Sequence, residues 1–227
     1  MMKTIPRWII IGGFILSFFA GSINVLSLLS LQHQAVSHLT GSISLIGVKL
    51  ISKNYDSVIH LAGIVSFFFF GAVLSNLIIR DQVLTFGKRY GVVLLLESSL
   101  IFVGYLITSN NSIYSDFFIS MACGLQNAMA TTFSGAILRT THMTGIVTDL
   151  GILMGSVIRG KKINRIRLQL HIGLLGGFMV GSIFGAVAYA EIGFDAILIP
   201  VVFIFLTGFI YTSYRLLKER NQKMVKQ

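Results

Sequence analysis

Few residues in this chain could carry a charge or a proton, and their spacing invites chemistry. The stretch SHLTGSISLIG (residues 37–47) returns as THMTGIVTDLG (residues 141–151), so His38, Thr40 and Gly41 are matched by His142, Thr144 and Gly145. An imidazole can shuttle a proton near neutral pH or, once charged, hold an anion. Thr40 and Thr144 are expected N-caps of the apolar, helix-spaced runs that follow, accepting from the first unpaired N–H groups. Gly41 and Gly145 permit close approach of a ligand or of another backbone. A helix start of this kind carries partial positive charge and spare donors. The same residue types also suit a plainer role, because Thr and Gly let helix ends pack closely in a membrane.

Arg139, just before the second phrase, would draw an anion toward its mouth or anchor the topology. Asn24 and Asn127 lie in corresponding apolar runs, with Gln126 beside the second. These amides would line a cavity, cap the opposing phrase, or join helices. Glu97, in VLLLESSLIF, and Asp149, one turn into the second short run, are ionisable groups where burying charge is costly. His60 and His171 fall near the ends of apolar runs, which favours structural roles. The copies are unequal: Leu45 stands where the second has Asp149, and Glu97 aligns near Pro200 and Val201. Neither His-Glu-x-x-His nor Gly-x-Ser-x-Gly occurs, and the single Cys123 can form no intrachain disulfide or cysteine metal cluster. An enzyme is disfavoured, and no cofactor or metal is expected.

The elements that must position these residues belong in lipid. The chain is 54% apolar and 11% charged, with a mean hydropathy of +0.82. A soluble fold of this size lacks the charge to cover so much apolar surface. Apolar runs near 8–31, 57–79, 90–108, 113–131, 168–189 and 194–214 each approach the ~20 residues that cross a bilayer as a helix. Two shorter runs, near 40–52 and 143–158, contain the repeated phrases. The opening MMKTIPRWIIIGGF resembles a signal peptide, but its apolar run continues and has a counterpart later, so it is read as a retained span.

The net charge of +10 sits in three places: Arg80, Lys88 and Arg89; residues from Arg159 to Arg167; and the tail from Arg215. Such clustering marks cytoplasmic loops. The expected partner is therefore membrane lipid rather than nucleic acid. With six spans and both termini inside, every Lys and Arg faces the cytoplasm except Lys49 and Lys53.

At an offset of about 104, GSINVL meets GLQNAM and FVGYLI meets LTGFIY, while HLAGIVSFFFFGAVLS meets HIGLLGGFMVGSIFG at an offset of 111. The chain thus reads as one membrane domain, residues 1–227, made of repeat A (about 8–108) and repeat B (about 113–217). The expected fold is all-α transmembrane, with six spanning helices and two short re-entrant or broken helices in an inverted 3+3 repeat. That plan recurs in transporters with a midplane site. A rival count lets the short helices cross, giving eight spans and a parallel repeat, and fits the basic loops less well. The leading functional expectation is a transporter of a small solute or ion. A channel or a non-catalytic scaffold is the alternative, with glycine-rich faces such as GLLGGFMVGSIFGA open to packing within a chain or in a homo-oligomer.

The segment CGLQNAMATTFSGAILRTTHMTGIVTDLG, residues 123–151, together with GSINVLSLL and SHLTGS, resembles the YoaK-like family of bacterial inner-membrane proteins over nearly the whole chain. Asn24 stands where that family commonly has Asp, and Ser42 where Asn is common. The resemblance implies a multi-pass protein of the bacterial inner membrane and no particular substrate.

Overall fold

A computed structural model describes residues 7–30, 35–79, 89–108, 114–134 and 139–224. Among them there are helices and no strands: α1 (Arg7–Leu29), α2 (Leu39–Ile51), α3 (Tyr55–Ile79), α4 (Arg89–Thr108), α5 (Ser115–Ser134), α6 (Met143–Ile158), α7 (Arg165–Ile192) and α8 (Leu198–Met224), with a 3-10 turn at Gly193–Ile197. Arg80, Lys88 and the extreme tail, which entered the charge pattern, lie outside the described residues.

Four stretches are long and apolar enough to cross a membrane: Trp8–Leu29, Tyr55–Ile79, Arg89–Thr108 and the 54-residue Arg165–Lys218. They mark an integral membrane protein. The last stretch is divided by the 3-10 turn, where Gly193 at φ 63° closes α7, so it holds both α7 and α8. At 1.5 Å per residue each of these two helices exceeds a ~30 Å hydrocarbon core.

α5 departs from the pattern. It is 20 residues long but carries Asp116, Ser120, Gln126 and Asn127, and it is not among the apolar stretches. It packs against α3 and α4 and is buried along most of its length. A helix shielded from lipid by its neighbours need not be apolar, because protein groups satisfy its polar side chains.

Two core clusters fix the helix directions. Ile9, Ile79, Tyr90, Phe133 and Leu170 meet in one. Ile23, Ile101, Ile119 and Ile197 meet in the other. Hence α1, α4 and α7 start at the first cluster, whereas α3 and α5 end there. α8 runs antiparallel to α4, with Tyr105 bonded to Asp195 at one end and Gly91 facing Thr212 at the other. The six long helices therefore alternate in direction along the chain.

Backbone contact between helices rests on glycine. A Cβ at Gly21 would overlap the Phe178 carbonyl, and one at Gly181 would overlap the Phe18 carbonyl, at the α1–α7 crossing. At the α3–α5 crossing the same is true of Gly124 with Phe68 and Gly71 with Met121. Without Cβ atoms the helices approach until backbones touch, gaining dispersion contacts where lipid offers no hydrophobic drive.

Candidate functional site

Each polar phrase is tethered by a serine from the other half of the chain. The Ser17 hydroxyl on α1 lies 3.0 Å from the Thr140 carbonyl and 2.8 Å from the Leu174 carbonyl, sharing its proton between them. The Ser120 hydroxyl on α5 lies 3.0 Å from the Val36 carbonyl and 2.9 Å from the Ile64 carbonyl. Both serines are fully buried. Each thereby satisfies non-helical carbonyls just ahead of a short helix, where lipid could not.

Both short helices begin alike. His38 precedes α2 at φ −97°, ψ 65°, and His142 precedes α6 at φ −89°, ψ 61°. These histidines occupy the N-cap positions, which corrects the assignment of the caps to Thr40 and Thr144. The threonines lie one residue inside the helix, and neither histidine makes a side-chain capping bond. Instead, each imidazole lies over the glycine three residues on, where a Cβ would strike the ring. Gly41 and Gly145 thus make room for their own histidine. The Thr40 and Thr144 carbonyls accept from Ser44 and Thr148 hydroxyls one turn later, at 2.9 Å in both copies.

The two helix starts share one cavity of about 610 Å³. From the first half Asn24, Ser37, His38, Thr40 and Phe68 line it; from the second, Asn127, Thr141, His142, Thr144 and Phe178 do so from equivalent positions. Arg139, Asn76, Thr131 and Thr132 complete its polar wall. α2 leads on to α3, which ends at the first core cluster, and α6 leads on to α7, which starts there.

The family model described as "Protein of unknown function (DUF1275)" matches residues 12–210. The chain belongs to this family. No curated protein and no solved structure matches it. The matched span takes in every cavity residue of this DUF1275 protein and stops before the basic tail.

The cavity is asymmetric in its bonding. Asn24 Oδ1 accepts from the Ser37 N–H at 3.2 Å and from its hydroxyl at 2.7 Å. The equivalent Asn127 Oδ1 is buried and has no hydrogen-bond partner among the described residues. The halves also differ in the wall. Gln126 and Thr140, bonded at 3.3 Å, stand where the first half has Ile23 and Val36.

Besides Gly41 and Gly145, which lie under their histidines, three sequence candidates do not line the cavity. Gln126 is buried between α5 and the second phrase, its amide 3.5 Å from the Leu16 carbonyl. Asp149 is held on α7 by His171 at 3.0 Å and Arg167 at 3.5 Å. Glu97 is 1% exposed on α4, and its Oε2 has no hydrogen-bond partner among the described residues. His60, the counterpart of His171, lies 3.3 Å from Asp116 and links α3 to α5.

Sequence reasoning missed Asn76, Ser37, Thr141, Thr131 and Thr132. Asn76 had a usable signal, as a lone amide in the apolar SNLII of α3. Phe68 and Phe178 had none, being phenylalanines among many. Their carbonyls lie against Gly124 and Gly21 at the two helix crossings.

Proposed function

We propose that this DUF1275 protein is a carrier that moves a small solute across the bacterial inner membrane by alternating access around the shared cavity. The observation that carries this reading is the meeting of two helix starts, neither with a side-chain capping bond, at one polar hollow. In this reading six long helices span the bilayer, α2 and α6 are re-entrant from opposite faces, and the halves form an inverted repeat, as in known transporter plans. The alternating helix directions and the basic clusters, taken as cytoplasmic with both termini, support it. The unequal Asn24 and Asn127 bonds support it too. Inverted halves take different conformations in any one state, and their bonding exchanges when the site faces the other way.

The test uses Asn54→Cys and Lys161→Cys in a Cys123→Ala background, labelled by an impermeant maleimide on intact and inverted vesicles. Opposite faces are expected; labelling from the same face refutes the inverted repeat. For transport itself, Thr132→Cys in the cavity should react from either face, while uptake by proteoliposomes saturates. Reaction from one face only, or unsaturable conductance, refutes the carrier.

A further inference from the structure

Resting on the reading of the cavity as a solute site, we infer that its ligand is a small oxyanion, a carboxylate or phosphate of metabolite size. The charge of the wall carries this. Among the described residues lining the cavity, Arg139 is the one Lys or Arg, and none is Asp or Glu. Arg139 is exposed and has no ion-pair partner among the described residues, so its guanidinium fork is available to a ligand. Asp149 and Asp116 do not line the cavity: the first faces His171 and Arg167, the second His60.

His38 and His142 are exposed in the cavity and have no hydrogen-bond partners among the described residues. Each imidazole offers a donor when neutral and two when protonated. The starts of α2 and α6 add their partial positive charge on the same hollow. The full charge a cation would meet here, that of Arg139, repels it. At about 610 Å³ the cavity has a volume typical of metabolite pockets.

Binding of radiolabelled acetate, L-lactate and inorganic phosphate to the purified full chain is compared with that of choline, guanidinium and glycerol at constant ionic strength. At least one anion is expected to bind saturably, with affinity falling about tenfold or more in Arg139→Gln and largely restored in Arg139→Lys, because a charged donor is lost and regained. Arg139 is exposed, so both variants should fold, which monodisperse elution checks. The relative strength of the three anions separates carboxylate from phosphate. Binding of choline, guanidinium or glycerol without any anion overturns the charge assignment and leaves the carrier standing. Anion binding unchanged in Arg139→Gln overturns the role of this cavity. Binding of none of the six probes overturns both readings.

Discussion

Replacing Gly181 with alanine should separate two helices that now touch. The added carbon would overlap the Phe18 carbonyl, an atom of backbone that no rotamer change can move. Relief requires α7 to slide or lift from α1, and the row includes Gly177 against Phe14 and Gly185 against Ser22, which would lose contact together. Gly176, on the same helix, faces open space, with nothing within 4 Å of where the alanine methyl would sit, so the substitution there changes only helix propensity. That gain is about 1 kcal/mol at an interior position. Overpacking costs about 1–3 kcal/mol. Gly176→Ala should therefore match or exceed the parent protein in stability. Gly181→Ala should fall about 1–3 kcal/mol below Gly176→Ala, the propensity gain being common to both. At roughly 2–4 °C per kcal/mol for a chain of this size, the pair should separate clearly by thermal denaturation in detergent. Gly124→Ala should behave like Gly21→Ala, and Gly71→Ala like Gly181→Ala, because their obstructing atoms are equivalent carbonyls. Equal melting of Gly176→Ala and Gly181→Ala would refute the claim that backbone contact at these crossings holds the halves together.

Ser17→Ala and Ser120→Ala should each destabilise by about 1 kcal/mol or somewhat more, since each leaves one buried non-helical carbonyl, that of Thr140 or Val36, short of a donor. The sites share no partner, so the double variant should show the sum in the same melting assay; no loss in either single variant would deny the tether. Glu97→Gln preserves shape at a site 1% exposed and should express and melt like the parent protein. Glu97→Lys places a cation there and should cost several kcal/mol, read as loss of folded protein from the membrane fraction.

Several features were legible because local physics fixes them. Apolar runs of bilayer length in a chain this poor in charge have no stable alternative to helices in lipid, and α1, α3, α4, α7 and α8 fall where those runs lie. The short helices were legible from their length and the His-x-Thr-Gly phrase. The cap was misread because Thr is the usual capping residue. An imidazole over a glycine gives no propensity signal; it becomes visible only when the ring is placed over Gly41 or Gly145.

By itself, then, the sequence determined that this is an all-helical membrane protein with a duplicated polar phrase, because hydropathy and periodicity act over one helix at a time. Tertiary structure decided which polar residues share a space. It gathered Asn24, His38, Thr40, Asn127, Arg139, His142 and Thr144 around one cavity and turned Glu97, Gln126 and Asp149 away from it. That sorting depends on which helix faces touch. The faces are chosen by glycine crossings and by serine tethers spanning more than fifty residues of chain, as between Ser120 and Ile64, which no local pattern records.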